Sequence, residues 1–484
     1  MAMTVRNNHK DFGFILGNIE DYVPQDHLVR KLEEAIDWCF IYPLVKPLYS
    51  LYGRPSIDPV ILFKMIFINY TFGLNSMRKT CEEIKVNLAY RWFLGIALDE
   101  EVPNYSTWSQ NYIRRYGDSS VFDSIFEKII DKGLSYGFIN TETVYGDSTH
   151  QKASANKRKV QRKEVEITRK KYEDDLLKEI NEDRINHNKK KIDHLSREEY
   201  DFDEQTGEQI IVAKKKEIKA SLTDPEAGNF HKGEHEECFA YCHQTFCDSN
   251  GFIIAYDTVP GNIHDSVSFF DTYEKIMEKY EVKNVSLDAG YKTPSIAREV
   301  ISNDQKLFLP YTRPKGKKKE TFSKKEFVYD SQNDIFICPN NEKLSYYTTD
   351  NRGYRIYVSD HSKCENCPLL GKCTSSKKHE KTIAVHIWQK YLDECEELRH
   401  TDEWKKIYPQ RKQTIERDFG DCKENHCLRY TRVRGLKRNT HQAAIIYSCL
   451  NLKKLAIKRE RNRYLYDLID HTGKTKEEIL SFSF

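Results

Sequence analysis

The 484-residue sequence has no apolar run long enough to cross a bilayer. Its most apolar stretch, VILFKMIFINYTFG from Val60 to Gly73, contains Lys64 and is shorter than the roughly 20 residues of a membrane span, so a buried helix is expected there. The amino terminus, MAMTVRNNHKDFGF, lacks the uninterrupted apolar segment and small-residue cleavage site of a secretory leader, which predicts a cytoplasmic protein with no membrane partner. Net charge is also scarce. The 77 Lys and Arg nearly cancel the 74 Asp and Glu, leaving +3, so a uniformly basic coat is excluded and any nucleic-acid surface must be a local patch. Thirteen cysteines, an odd count in a long chain without a leader, are expected to be reduced thiols, with any tight cluster holding metal.

At about 100 to 200 residues per domain, the length accommodates roughly three structural units. From residue 19 to 137 apolar residues recur at helical spacing, as in DHLVRKLEEAIDW, predicting an all-helical domain. Within it VPNYSTWSQNYIRRY is expected to start a helix with Thr107 as cap and Gln110 three residues on, and to expose Arg114 and Arg115; such a helix can enter a DNA groove. From 138 to 455 the pattern is mixed α/β. The strand TETVYGDST comes first, followed by a hairpin in ECFAYCHQTFCDSNGFIIAYDTVPGN that turns at Asp248 to Gly251. The helix DSVSFFDTYEKIMEKY, the strand NVSLDAGY and a helix from Pro294 complete an order that predicts a mixed sheet. Two segments interrupt this core. Residues 152–220 are charge-dense and read as a long solvated helix or helical hairpin; residues 312–386 open with the basic RPKGKKKE and hold clustered cysteines. Residues 456–484 are left as a C-terminal tail.

Two apolar runs end at an acid: TVYG at Asp147 and NVSL at Asp288. If the two strands are neighbours, the carboxylates converge, and Glu416 from YPQRKQTIERDFGDCKENH can complete a three-acid site. Two such charges about 5 Å apart at an effective dielectric near 20 repel by about 3 kcal/mol, so a cation must sit among them. All-oxygen donors suit Mg²⁺ or Mn²⁺, and two ions about 3.5 to 4 Å apart serve phosphodiester displacement. Lys423 lies seven residues after Glu416, nearly two helical turns, and so shares its face.

The pattern Tyr408-x-x-Arg411 with Glu416 and Lys423, preceded by VYGDST and VSLDAGY, resembles the DDE transposases of bacterial insertion sequences, in the branch with a Tyr-Arg-Glu-Lys signature. GRPSIDPVILFKMIF, LAYRWFLGI and VPNYSTWSQ resemble the helical domain that precedes their catalytic core, and TDPEAGNFHKG, VPGNIHDS and RGLKRNTHQAA resemble core motifs. The resemblance implies a ribonuclease-H-like fold with Asp147 on the first strand, Asp288 on the fourth and Glu416 on a later helix. It further implies metal-dependent cutting of double-stranded DNA at the element's ends, joining to a target, terminal inverted repeats read by the helical domain, and a homodimer on DNA. One departure is local: the signature places three residues between Arg and Glu, whereas four separate Arg411 from Glu416, and Lys412 has the expected offset. Two alternatives stay open, a transposase-derived DNA-binding protein without activity and a nuclease of the same fold that does not join ends.

Tyr408, Arg411, Lys412 and Lys423 are expected to touch the DNA strand, and the run RYTRVRGLKRNTHQ supplies Arg429, Arg432, Arg434, Lys437 and Arg438 for phosphate contacts. In GNIHDS, Asp265 or Ser266 is expected to cap the following helix, with His264 beside it; His231 and Lys232 are expected in a loop. Cys338, Cys364, Cys367 and Cys373 match a structural zinc site, a staple on the order of 10 kcal/mol for a small insertion with few apolar residues.

Overall fold

The computed structural model describes residues 17–50, 52–53, 55–166, 170–202, 209–232, 236–312 and 321–481. RPKGKKKE, residues 313–320, lies outside them. The chain forms two compact units. The first comprises residues up to Ile139, Gly420–Leu428 and the segment from His441 onward; the second comprises Asn140–Phe419 and Arg429–Thr440.

Helices make up the first unit's amino-terminal part. The apolar run forms the helix Pro59–Thr71, started by Asp58, whose side chain accepts from Val60 N at 2.7 Å, and by Pro59, whose fixed φ suits a first turn. Leu62, Phe63, Met65, Phe67 and Ile68 are buried, and so is Lys64, whose Nζ donates to the Phe93 carbonyl at 3.0 Å and pairs with Glu33 at 2.7 Å. No helix among the described residues is long and apolar enough to cross a membrane. The helix expected to be capped by Thr107 is Tyr105–Asn111, and its cap is Asn104, whose side chain accepts from Ser106 N at 3.0 Å. Asn104 is the stronger capping residue, and the helix starts there, three residues before the expected cap. Arg114 is exposed in the following turn, while Arg115 lies 4.4 Å over the Tyr49 ring. The expected tail is helical, with Arg463–Thr472 and Lys476–Ser481. Arg459 pairs there with Asp467, and Asp470 accepts from Tyr136 OH at 2.8 Å.

In the second unit a mixed sheet is built from β1 (Thr143–Lys152), β2 (Gly228–Lys232), β3 (Glu236–Cys247), β4 (Ile253–Pro260), β5 (Asn284–Ser286) and β6 (Lys306–Phe308). Its order is β6-β5-β1-β3-β2, with β4 also on β3. β1, β3 and β4 run antiparallel in succession, whereas β5 and β6 run parallel to β1. The β3–β4 turn forms where expected: Asp248 Oδ1 accepts from Asn250 N and Phe252 N, and Gly251 takes φ +79°, the left-handed region. The helix Asp265–Met277 carries the chain from β4 to β5 on the other side of β1, and Pro294–Ser302 joins β5 to β6, the crossover that parallel neighbours require.

The charged insertion departs from the helical expectation. Val160–Glu166 pairs with Lys215–Ser221, Glu198–Phe202 pairs with Gln209–Ala213, and among the described residues of the insertion only Glu173–Asn186 is helical. A two-stranded ribbon has two wet faces, so alternating charge does not separate it from a solvated helix. The one helix has an apolar stripe, Leu176 and Ile180, which packs with Leu195 and Trp388. The cysteine-bearing insertion is a five-stranded antiparallel sheet, Val328–Asp330, Ile335–Ile337, Lys343–Thr349, Tyr354–Ser359 and Thr382–His386, around Phe336, Leu344 and Tyr357. The two insertions meet: Arg184 donates to the Thr349 carbonyl at 2.7 Å, Arg355 pairs with Asp183, and His187 Nε2 lies 2.7 Å from Asp334 Oδ2.

Candidate active site

Strand register brings the two aspartates together. β1 and β5 pair in step, Thr143 with Asn284, Val144 with Val285 and Tyr145 with Ser286, where β5 and its ladder end. Two residues beyond each member of the last pair stand Asp147 and Asp288, so both side chains leave the same face of the sheet. Asp147 is inside β1, which runs on to Lys152 beside β3, where Asp147 faces Thr245. Asp288 begins the short turn Ala289–Tyr291, and its Oδ1 accepts from Gly290 N at 2.8 Å. Gly146 lets this junction close: a Cβ there would lie 2.5 Å from the Phe246 ring and 2.6 Å from Leu287.

Where the β1–β5 ladder ends, backbone carbonyls are left without strand partners, and Arg411 supplies donors. Its Nη1 donates to the Gly146 and Ser286 carbonyls at 2.8 and 2.9 Å, and its Nη2 to Asp147 Oδ2 at 2.9 Å. Arg411 is only 2% exposed, so the expected contact with a DNA strand gives way to a buried position against Asp147 and the strand-end carbonyls. Burial pushes the Asp147 carboxyl up to about 6; Arg411 opposes that rise, and Asp288 and Asp265 add to it.

Glu416 is exposed at the start of the helix Ile415–Asn425. Tyr408, in the tight turn Tyr408–Lys412, reports on the whole group: burial raises its phenol, Arg411 lowers it, and Asp288, Glu416 and Asp147 raise it further. Its ring stacks on Trp404, 4.7 Å between centroids and 7° between planes, and Trp404 Nε1 donates to the Leu309 carbonyl at 2.9 Å. Lys412 is exposed. Lys423 is carried by the same helix as Glu416 but belongs to the first unit.

Asp265 is the residue sequence reasoning missed. The cap of its helix is His264, whose Nδ1 accepts from Ser266 N at 3.2 Å. Asp265 instead accepts from Ser148 Oγ at 2.6 Å, and a Cβ on Gly290 would lie 3.6 Å from Asp265 Oδ2 and 3.1 Å from Asp288 Oδ1. The sequence signals were the resemblance of VPGNIHDS to a core motif and the triplet His264-Asp265-Ser266, in which every member can cap a helix. His231 is exposed on β2, 3.0 Å from the Asn229 amide.

The basic segment follows the sheet. Arg429 O accepts from Lys152 N at 3.2 Å and Thr431 N donates to Lys152 O at 2.9 Å, so Tyr430 lies beside the far end of β1 in a parallel bridge to Lys152. Arg429, Arg432, Arg434, Lys437 and Arg438 are all exposed. Cys338, Cys364, Cys367 and Cys373 line one cavity of about 20 Å³, room for one water-sized body. Cys338 Sγ accepts from Asn340 N and Glu342 N, both at 3.3 Å, and burial, offset by Lys381, raises Cys373, with the other three thiols raising it further. Among the described residues, no group of three or more His, Cys, Asp or Glu side chains stands in metal-holding geometry.

Residues 17–114 match the family model described as "Transposase domain (DUF772)", and residues 337–456 match "Transposase DDE domain". The second span contains Glu416 and all four clustered cysteines. A comparison with curated proteins gives no match. Among solved structures, the piggyBac transposase synaptic complex with hairpin DNA is similar at 9% identity and a TM-score of 0.34, covering 91% of this chain and 82% of that one. The two family matches make the chain a DDE-type polynucleotidyl transferase. It is a DNA transposase of the insertion-sequence kind.

Proposed function

We propose that the protein cuts double-stranded DNA at the ends of its own insertion sequence and joins those ends to a target, with Asp147, Asp288 and Glu416 as catalytic acids on a ribonuclease-H-like core. The observation that carries this reading is the equal register of Asp147 and Asp288, each two residues beyond the last pair of the parallel β1–β5 ladder. The strand order β4-β3-β1-β5-β6, antiparallel on one side of β1 and parallel on the other, supports the fold assignment. The Tyr-Arg-Glu-Lys branch remains the best fit to Tyr408, Arg411, Glu416 and Lys423.

The donor set fits the cofactor: the acids offer only carboxylate oxygens, the ligands of Mg²⁺ and Mn²⁺. Two such ions, when bound, supply neutralisation of phosphate charge and Lewis-acid polarisation. Asp147, Asp288 and Glu416 would hold them. Arg411 keeps Asp147 in place and balances its charge before DNA and cations arrive. Tyr408, Lys412 and Lys423 orient the strand, and Arg429, Arg432, Arg434, Lys437 and Arg438 bind phosphates without reading sequence. The nucleophiles are water in cutting and a DNA 3′ hydroxyl in joining.

The helical amino-terminal part, with Arg114 and Arg115, recognises terminal inverted repeats, and two copies pair the two ends as a homodimer. Cys338, Cys364, Cys367 and Cys373 hold one structural Zn²⁺. Their shared cavity and the backbone donors on Cys338 support this, since such donors favour thiolates. The protein acts in the cytoplasm, at the nucleoid when bound to DNA. Incubation of purified protein and Mg²⁺ with DNA carrying the borders of its own gene tests the reading. Nicks at the borders and joined products are expected; nicks without joined ends would leave a nuclease, and binding without nicks an inactive derivative.

A further inference from the structure

We propose that the loop Thr223–Gly228 is a positioning clamp, which fixes the basic segment Arg429–Arg438 as a phosphate track about five base pairs from the scissile bond. The inference rests on the reading that Asp147 marks the cutting centre. It gives a role to two motifs, TDPEAG and RGLKRN, that the catalytic acids do not use.

One buried carboxylate joins three parts of the fold. Asp224 Oδ1 accepts from Tyr241 OH at 2.8 Å and from Gly435 N at 3.1 Å, and Asp224 is 1% exposed. Beside it Glu226 Oε2 accepts from Leu436 N at 2.8 Å. Gly435 has φ +89°, and a Cβ on it would stand 3.0 Å from Glu226 Oε2, so glycine is required where the segment bends into the helix Leu436–Glu460. At its other end the segment is bonded to β1 through Lys152, and between these points Arg434 Nε donates to the Ser154 carbonyl at 3.0 Å.

The clamp determines how an anion can be held. A helix start is ordinarily an anion site, because its first N–H groups lack partners. Here Asp224 and Glu226 occupy that end, so a phosphate must be taken by the exposed side chains of Arg432, Lys437 and Arg438. Burying Asp224 is costly, and an apolar group would serve stability as well, so the carboxylate is explained by the geometry it imposes. The spacing follows from the strand. Asp147 and Lys152 are five residues apart on β1, about 17 Å at roughly 3.3 Å per residue, which for a strand running along the duplex axis is about five base pairs at 3.4 Å of rise each.

The test uses the full-length protein on border duplexes, with phosphate-ethylation interference and the salt dependence of binding. Wild type should show interference about five base pairs from the cut. Asp224→Ala and Glu226→Ala should lose it, bind about tenfold more weakly and show a salt slope shallower by about two units, equal to two phosphates lost at about 0.9 each. Glu226→Gln, which keeps the acceptor, should behave as wild type. Glu226 is exposed, so its variants fold even where Asp224→Ala does not. An unchanged footprint and slope in Glu226→Ala, or in the triple variant Arg432→Ala, Lys437→Ala, Arg438→Ala, overturns the clamp. If wild type binds but does not cut, the reading of the acids fails, and the slope alone judges the clamp.

Discussion

A guanidinium buried against Asp147 and two strand-end carbonyls is the detail that most changes how the signature residues are understood. Four residues separate Arg411 from Glu416 where the signature has three, which left Arg411 a loose role at the DNA. In the structure the tight turn Tyr408–Lys412 precedes the helix Ile415–Asn425, and the extra residue falls in the join between them. Arg411→Ala should strip the half-buried Asp147 of its cation and two strand-end carbonyls of their donor, and cost about 3 kcal/mol of stability, measured from the denaturant midpoint. Arg411→Lys should recover only part, because one ammonium cannot reproduce a planar fork across three oxygens. Loss of under about 1 kcal/mol in the alanine variant would contradict the assigned bonds.

His386 gives a pH test at the same scale. Burial holds its imidazole down at about 4, and its Nδ1 accepts from Trp388 N at 3.1 Å. A histidine depressed in the folded state contributes stability that is present above about 6.5 and lost as pH falls through about 4. Thermal midpoints should therefore fall more steeply from pH 6.5 to 4 in wild type than in His386→Phe; equal slopes would contradict the burial. Asp147 and Asp288 were legible because each apolar run ends at its acid. Asp265 was not, because three adjacent capping residues in His264-Asp265-Ser266 hide which one caps, and only packing decides.

Among elements, the strands of the sheet and their hairpin were readable from alternation and from the Asp248–Gly251 turn. The charged insertion was not. Its ribbon strands have no buried face to set a two-residue period, and the long-range pairing of Val160–Glu166 with Lys215–Ser221 leaves no mark in a local window. The clustered cysteines and RPKGKKKE marked residues 312–386 as an insertion, but its five-stranded sheet and apolar core were not read from the sequence. The insertion should carry about one zinc per chain by elemental analysis, and Cys367→Ser should lose the metal and open the sheet to proteolysis around residues 338–373. Full retention of that sheet in metal-free protein would mean that Phe336, Leu344 and Tyr357 suffice to hold it.

For the whole molecule, the division of labour is between a unit that is helical throughout its amino-terminal part and a unit that holds Asp147, Asp288 and Glu416. That separation was visible in the change from helical to alternating periodicity near residue 140. It was less visible that Gly420–Leu428 and the chain beyond His441 return to the first unit, since nothing local marks a helix that passes from one unit to the other. Asp288→Asn should bind border DNA as wild type does, within about twofold, while metal-dependent cutting falls by at least about 10³. Cleavage that persists in this variant would remove Asp288 from the chemistry. The most direct test of the central claim is anomalous diffraction from crystals grown with Mn²⁺ and border DNA: manganese peaks bounded by Asp147, Asp288 and Glu416 are predicted, and manganese bound elsewhere with these three carboxylates turned apart would contradict the account.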